Sequence, residues 1–155
     1  MQATAERVVS STQEQAMASW INYLNQMRLD ELVAKLQQQD QNLEASLETL
    51  AALKEAVDHV ITSDRGGVKG MHGFLAEVTE CGFGNARALI EGQEPVYEWV
   101  NDNGPVDMVR NGVNIQQKFS QANGHYSLDA VKEHLDHYPD FLQNGGKYQI
   151  PKDFY

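Results

Sequence analysis

Hydrophobic and polar positions change their rhythm near residue 63. Residues 1–63 contain no glycine and no proline and are rich in Gln, Ala, Leu and Glu. From Leu29 an apolar residue returns every seven positions, at Leu29, Leu36, Leu43, Leu50 and Val57. Leu32, Val33, Leu47, Leu53, Val60 and Ile61 widen that stripe. This spacing predicts an amphipathic helix with a coiled-coil-like seam, weakened at its centre by Gln37-Gln38-Gln39-Asp40-Gln41-Asn42. An earlier segment, Thr12 to Met27 with Trp20, Ile21 and Leu24, is expected to be helical and to be able to fold back as a helical hairpin.

Helical patterning stops at Thr62-Ser63-Asp64-Arg65-Gly66-Gly67, where the glycine pair permits a turn. The chain is therefore expected to divide into a helical segment, residues 1–63, and a second region, residues 64–155. In the second region a helix is expected over Val68 to Cys81, ending near Gly82 and Gly84, with a short helix from Asn85 to Ile90. Pro95 to Val100 is β-branched and aromatic and reads as a strand. Leu128, Val131 and Leu135 mark a later helix with Ser127 as its N-cap, and Lys147 to Pro151 reads as a final strand.

Between these elements, residues 104–119 read as a two-stranded hairpin. Asn111-Gly112 favours a type I′ turn, which needs positive φ at both central residues. With that turn, Arg110 faces Val113, Val109 faces Asn114, Met108 faces Ile115 and Asp107 faces Gln116. Side chains alternate along a strand, so Lys118 shares a face with Gln116. Met108, Val106, Ile115, Val113 and Phe119 take the opposite, mostly apolar face. A carboxylate, a carboxamide and an ammonium are thereby gathered on one side of a hairpin.

The net charge of −10 runs against a nucleic-acid ligand, because phosphate contacts dominate such affinity. Residues 1–60 carry four Lys/Arg and nine Asp/Glu, and residues 61–155 carry eight and thirteen, so each part is net −5. This chain alone is expected to bind duplex DNA weakly and to need a partner for its grip. The single Cys81 excludes an internal disulfide and a thiolate zinc site. With no signal-like start and no apolar run of membrane length, the cytoplasm is the expected compartment and no membrane partner is expected.

Other motifs carry less. Gly66-Gly67-Val68-Lys69-Gly70 lacks the spacing of a P-loop, and no GxSxG elbow is present. His134 and His137 are three apart on a helix, but no third metal ligand is evident. His125, beside Tyr126, lacks a supporting nuclease motif. His72 is the histidine best placed for a supporting role near the site. Lys147, Gln149 and Lys152 are further candidates for phosphate contact.

Asp107, with Pro105 two places before it, and the triplet Gln116-Gln117-Lys118 resemble the core of the PD-(D/E)xK nuclease superfamily. The resemblance covers roughly the last 90 residues, a fair length for one compact domain. An acid-bearing helix before the hairpin, with Glu77, and a helix after it match the superfamily's order. Gln116 departs from the pattern, which places an acid there. The resemblance implies an α/β (α+β) fold, a restriction-endonuclease-like core with a mixed sheet flanked by helices. It also implies metal-dependent hydrolysis of phosphodiester bonds, DNA in preference to RNA. Asp107, Gln116, Lys118 and Glu77 would be catalytic. Asp107, Gln116, the Gln117 carbonyl and Glu77 would hold one Mg²⁺ or Mn²⁺. Residues 12–61 would serve homo-oligomerisation or docking onto a protein partner. The alternatives are a noncatalytic interaction module with an inactive nuclease-like core, and a helical scaffold.

Overall fold

The computed structural model describes residues 2–63, 67–102, 104–118, 121–122, 125–126 and 128–150. Helix α1 spans Gln2–Thr62 without interruption. The expected fold-back near Met27 is therefore not adopted: no residue there ends a helix, since strong helix formers fill the segment and Gly and Pro are absent. Exposed pairs one turn apart, Glu31 with Lys35 and Lys54 with Asp58, line its solvent side at 2.6 Å each.

The chain forms two compact units, Met1–Gln41 and Asn42–Tyr155. In the first, the apolar stripe stands open: Trp20, Leu29, Leu32 and Leu36 are all more than half exposed. The expected boundary at residues 63/64 separates two helices, whereas the units divide between Gln41 and Asn42, so the last third of α1 belongs to the second unit.

Within the second unit, α1 buries Ser46, Leu53 and Val60, again seven residues apart. Ser46 and Leu53 face helix α2, Gly67–Ile90. The Ser46 hydroxyl donates to the Ala86 carbonyl at 2.9 Å, and Leu53 sits against Gly82. A Cβ on Gly82 would lie 2.7 Å from a Leu53 methyl and 2.9 Å from its Cβ. The two glycines expected to end this helix are thus interior to it. Gly82 admits Leu53 on one side, and Gly84 admits the ring of Tyr97 on the other. The short helix expected over Asn85–Ile90 is the last part of α2.

Next come strands β1 (Tyr97–Trp99), β2 (Met108–Arg110) and β3 (Val113–Gln117). A two-stranded ribbon of β4 (Gln121–Ala122) and β5 (His125–Tyr126) follows, then helix α3 (Asp129–His137) and strand β6 (Lys147–Gln149). The four-stranded sheet has the order β1-β2-β3-β6, with β1, β2 and β3 antiparallel and β6 parallel to β3. A parallel neighbour requires a crossover, and the segment containing α3 supplies it. The class is α+β with a small mixed sheet.

The hairpin register is the expected one for Met108, Val109 and Arg110 against Ile115, Asn114 and Val113. Asn111 and Gly112 have φ of 50° and 75°, as a type I′ turn requires. One sheet face packs on α2 through Cys81, Met108 and Ile115, with Tyr97, Trp99 and Val113 around them. Asn85 fastens α2 to the sheet edge: its Oδ1 accepts the N–H groups of Val96 and Tyr97, and its Nδ2 donates to the Tyr97 carbonyl. Burial pushes the Cys81 thiol up to about 12, with Glu80 and Glu77 adding to the effect, so it is an inert apolar filler. The other face packs on α3 and the turn after it, through His134, Phe141 and Tyr148, whose rings meet pairwise at 5.1–5.4 Å between centroids. The expected Ser127 cap, Phe119 and Lys152 lie outside the described residues. No described helix is long and apolar enough to cross a membrane.

Candidate active site

The site builds up where β2 begins. Met108 is the first residue of β2, so the outward N–H of Gln117 on β3 has no facing β2 carbonyl. The Asp107 carboxylate takes its place: Oδ2 accepts the Gln117 N–H at 2.6 Å. The same oxygen accepts a bond from the Gln116 side-chain nitrogen. The backbone N–H of Asp107 donates to the Ile115 carbonyl at 2.9 Å, so strict pairing shifts by one residue here. The expected Asp107–Gln116 juxtaposition is present, but as a hydrogen-bonded pair in which the amide donates.

Both of these bonds use Oδ2, which leaves Oδ1 as the oxygen for other work. In a strand the N–H and C=O of one residue point to the same side, so the Gln117 carbonyl also faces the side of Asp107. Lys118 follows at the end of β3, where its N–H donates to the Gln149 carbonyl at 3.0 Å. Its ammonium is near enough to favour ionised Asp107 and to disfavour protonated His134. Burial raises the Asp107 pKa above that of an ordinary aspartate; the Gln117 N–H, the Lys118 charge, the Gln116 amide and His134 oppose the rise.

His134, which the sequence offers only as half of an incomplete metal pair with His137, belongs to this site. It is 8% exposed, and its Nδ1 lies 2.6 Å from the Tyr148 hydroxyl. Burial first, and then the Lys118 charge, lower its pKa, while the Pro105 carbonyl and Asp107 act the other way. The available signal was the position of His134 beside Val131 and Leu135 on the buried side of an amphipathic helix. Its meeting with Tyr148, from a strand 14 residues on, could not be read from spacing.

Glu77 stands elsewhere. It is buried on the α2 face, where it accepts a bond from the Trp99 indole N–H at 3.3 Å. Asp107, Gln116, His134 and Tyr148 belong to the α3 face, so the sheet separates Glu77 from them. Gln117, whose side chain alternates to the α2 face, buries an Oε1 that finds no partner among the described residues. His72 is exposed on α2. Lys147 is exposed and Gln149 half-buried on β6.

Among the described residues, no three His, Cys, Asp or Glu side chains converge as a metal cluster. The oxygen donors that strand geometry puts on one side of the hairpin end are the Asp107 carboxylate and the Gln117 main-chain carbonyl. These are hard oxygen donors, which fit a single Mg²⁺ or Mn²⁺ completed by water, and not a soft metal. Comparison with protein-family models, with curated proteins and with solved structures gives no match to this chain.

Proposed function

We propose that this chain is a metal-dependent nuclease that hydrolyses phosphodiester bonds of nucleic acid, DNA in preference to RNA. The observation that carries the reading is the gathering of Asp107, Gln116, the Gln117 main chain and Lys118 at one end of the β2–β3 hairpin. The order of acid-bearing helix, hairpin and helix around a mixed sheet supports a PD-(D/E)xK-like, restriction-endonuclease-like core.

In this reading the Asp107 carboxylate and the Gln117 carbonyl would hold the divalent ion. Bound Mg²⁺ or Mn²⁺ supplies charge neutralisation and Lewis-acid activation. Gln116 fixes the carboxylate's orientation by donating to Oδ2, and in another rotamer its amide oxygen would be a third donor. Lys118 orients the attacking water and stabilises charge that grows on the phosphate oxygens. The water oxygen bonds to phosphorus, the P–O ester bond breaks, and the water proton ends on the departing oxygen. The proposed setting is the cytoplasm, with no membrane partner.

A second reading is a noncatalytic interaction module with an inactive nuclease-like core. It is favoured by the lack of a His, Cys, Asp or Glu metal cluster among the described residues and by the open apolar stripe of residues 17–36. That stripe would support homo-oligomerisation or docking onto a protein partner in either reading.

The test is cleavage of single- and double-stranded DNA and RNA with Mg²⁺ or Mn²⁺, using wild type, Asp107→Asn and Lys118→Ala. Metal-dependent cleavage that both substitutions abolish is the expected result. A well-folded wild type that neither cleaves nor binds metal by calorimetry establishes the interaction module instead.

A further inference from the structure

Beside the candidate site lies a groove of about 330 Å³, between the strand-entry loop, β3 and the end of α3. Pro105, Asn114, His137, Tyr138, Asp140 and Asn144 are among the residues that line it. Ligand clefts begin at about 300 Å³, so one flat heterocycle fits this volume.

The groove and the site are one continuous surface. Asn114 lies two residues before Gln116 on the same face of β3, and Pro105 lies two before Asp107. His137 stands one helical turn beyond His134, and the Tyr138 ring is 4.9 Å from that of His134.

The chemistry of the walls restricts the occupant. Among the described residues lining the groove there is no lysine or arginine, and the one charged group is the Asp140 carboxylate. A phosphate is therefore disfavoured inside it, while Lys118 supplies the nearby cation. The Tyr138 and His137 rings and the proline faces offer stacking surfaces. Asp140 only accepts hydrogen bonds, while the carboxamides of Asn114 and Asn144 both donate and accept.

We infer that this groove receives one unstacked nucleobase of a single-stranded nucleic acid, guanine in preference to thymine, with the adjoining phosphate lying towards Lys118. Guanine presents an adjacent N1–H and N2–H₂ pair that matches the two oxygens of a carboxylate. Thymine presents one N–H between two carbonyls, which a carboxylate repels. A base held inside a duplex cannot enter the groove without leaving its stack. This inference rests on the nuclease reading for its choice of a strand, but its first test does not involve cleavage.

Binding of guanosine, thymidine and short single-stranded oligo-dG and oligo-dT to the full chain is measured by saturation-transfer NMR in metal-free buffer. Guanosine is expected to bind roughly tenfold more tightly than thymidine, the scale of one charge-assisted hydrogen bond. Asp140→Asn, an exposed position whose backbone carbonyl still accepts the Asn144 N–H, should erase that preference while leaving the fold unchanged by circular dichroism. Oligo-dG should bind more tightly than guanosine, and Lys118→Ala should remove that gain. Equal binding of the two nucleosides, a preference that survives Asp140→Asn, or no nucleoside binding overturns the base site. Oligo-dG that binds no better than guanosine overturns a nucleic-acid strand as the source. Because no metal is present, failure of cleavage alone leaves these results interpretable and instead counts against the nuclease reading.

Discussion

The Asp107 carboxylate accepts the backbone N–H of Gln117 at 2.6 Å, in the place where a longer β2 strand would have offered a carbonyl. A side chain thus finishes a ladder that the main chain leaves incomplete. The same carboxylate is the candidate metal ligand, so structural and chemical roles meet in one group and must be separated by the choice of substitution.

Asp107→Ala leaves the Gln117 N–H and the Gln116 amide without their acceptor and should cost about 1–3 kcal/mol in urea denaturation. Asp107→Asn retains an acceptor oxygen and removes the burial of a charge. It should be as stable as wild type or more so at pH 7, yet cleave nothing. Equal losses of stability for the two variants would show that charge, and not the acceptor, is what the fold uses there.

Two groups of the site give stability slopes of opposite sign against pH. Burial lowers the His134 pKa, so the neutral ring is the form the fold prefers. Its contribution is present above the ordinary histidine value and is lost as pH falls through the lowered one. Burial raises the Asp107 pKa, so the fold prefers that carboxyl protonated. Its contribution is present below the ordinary aspartate value and is lost as pH rises through the raised one. Thermal unfolding of wild type and His134→Gln from pH 7 downward should therefore diverge at high pH and converge as the wild-type histidine protonates. Parallel curves across that window would exclude His134 as the source.

Gly84 offers a test of how α2 meets the sheet. A Cβ there would lie 2.3 Å from the Tyr97 ring, whose hydroxyl donates to Glu80 at 3.0 Å and whose face carries Arg110. These contacts hold the ring, so Gly84→Ala should destabilise by about 1–3 kcal/mol through overpacking, despite alanine's better helix propensity. A gain in melting temperature would mean that propensity outweighs the contact.

The open stripe of the first unit makes its own prediction. Leu29→Asp combined with Leu36→Asp should convert a self-associated chain to monomer in light scattering. Both residues belong to the first unit and are more than half exposed, so the near-ultraviolet circular dichroism of the second unit's aromatic core should be unchanged. A wild type that is already monomeric would direct attention to a different protein partner for that stripe.

The residues themselves determined what depends on near neighbours. Asn111-Gly112 supplies the two left-handed conformations of the turn, and that alone sets Met108 against Ile115 and brings Asp107 to Gln116 and Lys118. The glycine-free, proline-free stretch to residue 63 likewise determines helix, though not which of its seven-residue registers is buried. Ser46 and Leu53 are chosen by where α2 lies, and a serine would not be counted in an apolar stripe. Gly82 and Gly84 read locally as helix ends, yet they are contact points, because loss of a side chain serves close approach as well as chain reversal. Only tertiary structure decided that Glu77 lies on the α2 face and His134 on the α3 face with Asp107. Each assignment depends on which side of the sheet a helix covers. That is settled by burial between residues far apart in the chain, and no local pattern carries it.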